Sequence, residues 1–333
     1  MAEPMTVRVA EVIAETDEAH SLVLDADFTY KPGQFVTVRI PDRDLARCYS
    51  LCSSPYLDER PKITVKRIPD GHGSHWICDN VTAGTELELL PPAGTFTPRS
   101  YHHDLLLFAG GSGITPVMSI VKSALVRGTG KLRLVYANRD EHSVIFASEL
   151  AALAAAHPDR LVVTHWLESV QGLPSEPALQ ALAAPFTAYD AFVCGPGPFM
   201  DAVTHALRAL GVPRPRIFVE RFVSLDDNPF AAPAQPAASG ETASVDIDLD
   251  GQTHQLEWPT NRKLLDVMLD AGLDAPFSCR QGVCSACACR LLTGEVKMLN
   301  NEVLEEEDLA DGYILACQSL PLTPTARITY RPE

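Results

Sequence analysis

The stretch LDAPFSCRQGVCSACACRL, residues 273–291, carries Cys279, Cys284 and Cys287, and a fourth thiol follows at Cys317, so the four are spaced C-x4-C-x2-C-x29-C. That is the ligand spacing of a plant-type 2Fe-2S cluster. A short loop must wrap three thiolates around one side of a small dinuclear core, and a distant segment must return the fourth. Gly282, Ser285, Ala286 and Ala288 keep the loop thin, so that backbone N–H groups can approach the sulfurs of an anionic core. A zinc site would want two paired-cysteine knuckles, which this spacing does not supply. Disulfides are disfavoured in a chain that opens without a secretory pattern.

The flanks point the same way. Val245, Ile247 and Leu249 alternate with polar residues, Asp250-Gly251 supplies a hairpin turn, and Leu256 and Trp258 begin an answering strand. Leu264, Leu265, Met268 and Leu269 recur at helical spacing, and Gly272 is placed to end that helix. Hairpin, helix, cluster loop is the order of a β-grasp ferredoxin domain. Cys289 reads as a buried thiol of the next strand, not as a fifth ligand.

The chain has 333 residues, too many for one such domain. A net charge of −16 disfavours nucleic acid and anionic membrane surfaces, and no apolar run has the length of a membrane span. The opening MAEPMTVRVAEVIAETDEAHSL lacks the basic-then-apolar order of a signal peptide, which predicts a cytoplasmic location. There the nine cysteines should be thiols or metal ligands. No internal repeat is visible. DDNPFAAPAQPAASGETAS, starting at Asp226, has no apolar period and reads as a linker. The expected domains are 1–99, an antiparallel β-barrel; 100–225, an α/β unit; 226–242, the linker; and 243–333, the cluster domain.

In the α/β unit, apolar runs at Leu105–Ala109, Leu132–Ala137, Leu161–Trp166 and Ala191–Cys194 alternate with helical patterns at Val117–Leu125 and Ser148–Ala156. Such alternation predicts a doubly wound parallel sheet. Its first strand runs into Gly110-Gly111-Ser112-Gly113-Ile114-Thr115-Pro116. Glycines let the backbone close on a pyrophosphate, and the helix start offers free N–H donors. Taken alone, this is equally a plain tight turn. Cys194-Gly195-Pro196-Gly197-Pro198 follows another strand, again where ligands of open sheets collect.

Residues 1–99 show short β-like runs, Phe35–Ile40, Ile63–Lys66 and Glu86–Leu90, broken by Pro and Gly. Arg47-Cys48-Tyr49-Ser50 ends one run and Val65-Lys66-Arg67 another, with Gly73-Ser74 opening a helix soon after. This outlines a flavin site: Tyr49 offers a flat face, Arg47 and Ser50 can bind phosphate, and backbone near Val65 can reach the ring edge. The helix at Ser74 can receive phosphate charge. By itself RCYS is equally an ordinary edge strand; the order of the three regions favours the flavin.

Several stretches go beyond generic motifs: ARCYSLCSSP, VKRIPDGHGSHWICD, AGGSGITPVMSI, YANRDEHSVIF, HWLESVQGLPS, CGPGPFM and LDGQTHQLEWP. With the cluster loop, they make the whole chain resemble the flavin-binding reductase components of Rieske oxygenase systems. Within these, the likeness is to the branch that serves 3-ketosteroid hydroxylation in steroid-degrading actinobacteria. The resemblance implies FAD in the barrel, NADH on the parallel sheet and a 2Fe-2S cluster, with a terminal Rieske non-haem iron oxygenase as partner and a monomeric chain. It also places Cys194 near the nicotinamide, matches Glu220 and Phe222 of VERF to an acidic and aromatic pair beside the flavin, and finds Pro116 as the third position of the turn. Three residues of the cluster loop depart from its pattern: Gln281, Val283, and Ser285 where Gly is usual.

Hydride from nicotinamide brings two electrons and iron–sulfur centres take one, so a flavin must stand between them. Asn138-Arg139-Asp140-Glu141, after the second strand of the α/β unit, sets one Arg among acids, which disfavours a 2′-phosphate and favours NADH, with Arg139 leaving NADPH open. No second Cys/His signature accompanies the cluster motif, and the ten His show no two-His-one-carboxylate spacing, so oxygen chemistry belongs to another protein. A reductase for a phenylacetyl-CoA or diiron monooxygenase would carry the same modules. A redox sensor would need an output module, and none is seen.

Overall fold

A computed structural model describes residues 4–222, 224–225, 228–230 and 241–331. Two compact units are present, one comprising Met5–Ile40 and Arg47–Phe222, the other chiefly the described residues after 223. The linker expected over 226–242 lies mostly outside the described residues.

The first unit opens with strands β1 (Met5–Thr16), β2 (Ala19–Asp25), β3 (Phe35–Ile40), β4 (Leu45–Ser50) and β5 (Lys62–Lys66), helix α1 (His72–Asn80) and β6 (Glu86–Ala93). The order is β4-β3-β6-β1-β2-β5. A Leu51–Ile63 bridge joins the two edges, as a small barrel requires to leave no bare strand edge. Val7 and Val9, Leu22 and Leu24, Val36 and Val38, and Leu87 and Leu89 turn inward at the two-residue period of a half-buried strand. At 12 residues β1 exceeds the short runs expected; register shifts at Val9/Glu11 and Ala14/Thr16 break its alternation into pieces in the sequence.

The same unit continues through β7 (Leu105–Gly110), α2 (Ile114–Arg127), β8 (Leu132–Asn138), α3 (Ala147–Ala156), β9 (Leu161–Leu167), α4 (Glu168–Gln171), α5 (Glu176–Ala183), β10 (Asp190–Cys194), α6 (Gly197–Ala209) and β11 (Ile217–Glu220). All adjacent pairs are parallel in the order β11-β10-β7-β8-β9. One core packs α2 and α3 on the sheet through Val117, Val121 and Leu150, and a second packs α5 and α6 through Leu179, Val203 and Leu207. Strands covered on both faces read as unbroken apolar runs, which is why LLLFA and AFVC were legible. The order reverses between β7 and β10, making their carboxyl ends the switch point where ligands of such sheets bind.

The second unit holds β12 (Thr242–Leu249), β13 (Gln252–Pro259), α7 (Leu264–Asp270), β14 (Ala288–Thr293), β15 (Val296–Met298), α8 (Glu306–Ala310), β16 (Tyr313–Leu315), β17 (Ser319–Pro321) and β18 (Thr325–Thr329). Its main sheet runs β13-β12-β18-β14-β16. Fully buried Trp258, Leu264, Leu265 and Met268 set α7 against it. Gly272, at φ +77°, turns the chain out of α7, as expected. Cys289 is buried in β14. No helix among the described residues is long and apolar enough to cross a membrane.

Candidate redox sites

At the switch point two glycine loops meet backbone to backbone. A Cβ on Gly113 would fall 2.2 Å from the Cys194 carbonyl oxygen, and one on Gly195 would fall 3.0 Å from Gly110 N. Only glycine permits this approach. Gly111, at φ +52°, opens a short 3-10 turn over 111–113, and Thr115 Oγ1 donates to Ser112 O at 3.0 Å to close it. Pro116 lies in the first turn of α2, where its missing N–H removes no helical bond. Pro196 precedes α6. The arrangement leaves helix N-termini at the crevice, a setting that suits a pyrophosphate.

Two residues at the end of β8 line up with this crevice. Asn138 is 4% exposed, and neither polar atom of its amide has a hydrogen-bond partner. The amide lies close enough to the Tyr136 hydroxyl to temper the upward push of burial on that phenol, yet it completes no hydrogen bond of acceptable geometry. Tyr136 Oη instead donates to Gly111 O at 3.2 Å and accepts from Ile145 N at 3.2 Å. A buried, orphaned amide at the carboxyl end of a strand is what a ligand would satisfy. Sequence reasoning placed Asn138 in the turn after the second strand but gave it no role of its own; its only signal was its place at the end of YAN. Arg139, next in the chain, reaches Glu18 of the barrel at 2.5 Å.

On the barrel, Arg47 drapes its stem over α1, so that a Cβ on Gly73 would lie 2.8 Å from Arg47 Cγ. Helix α1 has no side-chain cap, which sets a helix N-terminus beside that guanidinium. Ser74 is committed locally, donating to Gly71 O at 2.9 Å and accepting from Ile68 N at 3.3 Å. Burial raises the Tyr49 phenol, against the pull of Arg47. Cys48 contacts Thr37 Oγ1 at 3.5 Å, and Ser50 and Val65 are buried. Lys66 Nζ stands 3.7 Å from where a side chain on Gly111 would begin. Arg67 pairs with Asp79 at 2.5 Å. An arginine beside an uncapped helix start suits a flavin phosphate, and the barrel and parallel sheet share one unit, as a flavin–nucleotide encounter requires.

Cys194 and Glu220 sit side by side in the β10–β11 register. Cys194 is fully buried and Glu220 is 9% exposed. Burial pushes the Glu220 carboxyl up to about 8, and burial with the Glu220 charge pushes the Cys194 thiol well up. Both are therefore protonated at neutral pH. Phe222, two residues on, is 46% exposed.

In the second unit the cysteine loop curls through three left-handed residues, Arg280 (φ +59°), Gly282 (φ +81°) and Ser285 (φ +51°). Cys279, Cys287 and Cys317 are buried. Backbone N–H groups point at sulfur: Gln281 N to Cys279 Sγ at 3.3 Å, Cys279 N to Cys284 Sγ at 3.5 Å, and Cys317 N to Cys287 Sγ at 3.5 Å. Gln318 Nε2 donates to Arg280 O at 2.7 Å and reaches Cys317 Sγ at 3.6 Å. Thiol contacts join Cys279 to Cys284 and Cys317, and Cys317 to Cys287. The four thiols thus form one contiguous group, which suits the two irons of a dinuclear core; among the described residues, no three His, Cys, Asp or Glu converge on a single-ion site. Of the three departures, Ser285 takes a left-handed conformation, which explains why glycine is usual there.

Comparison with known proteins agrees with this geometry. Residues 5–97 match the oxidoreductase FAD-binding domain, 107–205 the oxidoreductase NAD-binding domain, and 247–322 the 2Fe-2S iron-sulfur cluster binding domain. The phthalate dioxygenase reductase structure aligns over 98% of both chains with a TM-score of 0.60 and 24% identity, a likeness of fold. Fold and domain matches together define an oxidoreductase built on FAD, a pyridine nucleotide and a 2Fe-2S cluster. The chain is 54% identical to the "3-ketosteroid-9-alpha-monooxygenase, ferredoxin reductase component" of Rhodococcus rhodochrous, over 97% of this chain and 95% of that protein. It is 34% identical to one component of the 1,2-phenylacetyl-CoA epoxidase of Escherichia coli, over 96% of this chain and 95% of that protein. It belongs to the family of 3-ketosteroid-9-alpha-monooxygenase ferredoxin reductase components.

Proposed function

We propose that this chain takes electrons from NADH and delivers them singly to a terminal Rieske oxygenase that hydroxylates a 3-ketosteroid at C9, working as a monomer in the cytoplasm. The observation that carries the reading is the presence, in one chain, of a glycine crevice, a barrel face and a four-thiol loop. When bound, FAD accepts hydride from NADH and the 2Fe-2S cluster relays single electrons. The domains proposed for these steps are 1–99, 100–225 and 243–333, joined by 226–242.

The chain's own residues have four tasks. Arg47, with Ser50 and the start of α1 at Gly73 and Ser74, holds the flavin phosphates, while Tyr49, flanked by Cys48, and the backbone of Val65, Lys66 and Arg67 position the ring. Gly110, Gly111, Gly113, Thr115 and Pro116 cradle the NADH pyrophosphate against Gly195 and Pro196, and Arg139 meets its adenosine end. Cys194 and Glu220 present uncharged, proton-bearing groups near the nicotinamide, and Phe222 covers the flavin edge. Cys279, Cys284, Cys287 and Cys317 hold the irons, with backbone N–H groups offsetting the negative charge on sulfur.

Mixing the purified holoprotein with candidate oxygenases tests the proposal. Alone, it should oxidise NADH with artificial acceptors and leave androstenedione untouched. With a Rieske-type 3-ketosteroid oxygenase, NADH consumption should couple to 9α-hydroxylation and weaken at high ionic strength, since the chain is acidic. Product formed without an oxygenase would overturn the division of labour. Coupling only to a phenylacetyl-CoA or diiron system would replace the steroid assignment.

A further inference from the structure

We propose that Glu18, on the turn between β1 and β2 of the barrel, makes this reductase select NADH over NADPH by occupying the cation placed to receive a 2′-phosphate, Arg139. The inference rests on the reading of the parallel sheet as the nucleotide site. Arg139 directly follows β8, the second strand of that sheet and the neighbour of β7. In dinucleotide folds this position faces the adenosine ribose, where an acid accepts the 2′-hydroxyl or an Arg receives a 2′-phosphate. Asn138, with its unsatisfied amide one residue earlier, independently marks this strand end as a ligand contact.

In the sequence, the acids flanking Arg139 stand ready to oppose a 2′-phosphate. The structure gives those acids other partners. Asp140 Oδ1 accepts from Ser143 N at 2.9 Å, capping a short turn, and Glu141 lies 3.8 Å from His142. The carboxylate on Arg139 comes from 121 residues away: Glu18 Oε2 sits 2.5 Å from Arg139 Nη2 and 4.0 Å from Lys66 Nζ. Because Lys66 Nζ hangs over Gly111, one carboxylate bridges the cation at the glycine turn and the cation at the strand end. Lys66 also senses Asp140, so Glu18, Lys66, Arg139 and Asp140 form one charged set.

A 2′-phosphate adds nearly two negative charges. To reach Arg139 it must displace Glu18 or lie beside it, and both are unfavourable. The 2′-hydroxyl of NADH makes no such demand and can donate to a carboxylate. The pair is half exposed, 57% for Arg139 and 42% for Glu18, so the discrimination it supplies is several-fold and sensitive to salt.

The test is Glu18→Gln, which keeps the shape and removes the charge. The ratio of kcat/KM for NADPH to that for NADH, with ferricyanide as acceptor, should rise roughly two- to fivefold at low ionic strength, the range expected of an exposed ion pair. In calorimetric titration of the holoprotein, 2′,5′-ADP should tighten similarly while 5′-AMP does not. Both gains should shrink in high salt and vanish in Glu18→Gln/Arg139→Ala. An unchanged ratio, equal tightening of both nucleotides, or a gain that survives loss of Arg139 would overturn the proposal. Titration needs no turnover, so a wild type inactive with NADH would sink the reductase reading alone and still leave this one decided.

Discussion

The two units build their candidate sites in opposite ways. In the second, three of four proposed ligands lie within nine residues, Cys279 to Cys287, and the loop's own amides point at its own sulfurs. In the first, the proposed site draws on residues from Glu18 to Phe222, brought together by the packing of a barrel on a parallel sheet. Local geometry makes a site compact and self-contained, whereas assembly from distant strands makes it depend on whatever fixes the two sheets together. Lys122 is part of that fixing. Only 1% exposed, it lies 2.9 Å from both Asp58 and Glu149, while Ser119 and Ser123 beside it on α2 bond Ser53 O and Ser54 Oγ. Burial alone would lower its pKa, and the two carboxylates more than reverse that.

The contrast predicts that the sites can be broken separately. The largest effect is expected from Cys284→Ser, which should abolish the visible and EPR signals of the cluster and transfer to one-electron protein acceptors while NADH–ferricyanide turnover continues. Signals that persist would refute the ligand assignment. Next, Lys122→Met should take from Asp58 and Glu149 the buried cation they share at the barrel–sheet junction, leaving Glu149 only Lys62 at 3.6 Å and Asp58 only the Ser54 N–H at 2.6 Å. Buried pairs broken this way lose about 3 to 5 kcal/mol; since Asp58 and Glu149 stay 26% and 35% exposed, we expect about 2 to 4. Denaturant should release flavin earlier while the cluster absorbance keeps its midpoint. A joint shift of both signals would show that the units do not unfold independently.

The same contrast governs what could be read from sequence. The cysteine spacing was legible because ligand geometry is written in consecutive residues, and β7 and β10 were legible because strands covered on both faces are uniformly apolar. The Arg139 environment was legible only in part. Adjacency in sequence set Asp140 and Glu141 beside it, and the structure adds Glu18, 121 residues away, which carries no local signal. Lys122 carried no signal in the sequence, since only the packed barrel reveals that its face of α2 is covered. Asn138 needed a burial measurement to stand out.

A smaller effect concerns Glu220. The folded state holds its proton up to about pH 8, whereas an exposed glutamate releases it near the usual 4.5. Between these values the folded state binds a proton that the unfolded state has lost, so this group's contribution to stability is greatest below about 4.5 and is lost as pH rises through 8. The slope from this one group is at most about 1.4 kcal/mol per pH unit. Glu220→Gln should flatten the pH dependence of melting of the first unit between pH 5 and 8 and leave the cluster unit unaffected. An unchanged slope would place the titration elsewhere.

The smallest effect tests the claim that the cluster loop is self-contained, and it pits two glycine positions against each other. At Gly282, a Cβ would meet Asn300 O at 2.7 Å and the backbone is left-handed, so Gly282→Ala strains the loop twice over and should promote iron loss. Ser285 holds the same backbone region at φ +51° with a side chain already present. Relieving that conformation is worth about 1 kcal/mol, and the added freedom of glycine in the unfolded chain takes back about 0.4 to 1. Ser285→Gly should therefore change the stability of the second unit by less than about 1 kcal/mol, with slightly slower bleaching of the cluster under chelator. Faster bleaching would mean that the hydroxyl contributes more to the loop than its backbone strain removes, and that the departure from glycine is itself part of how this chain holds its irons.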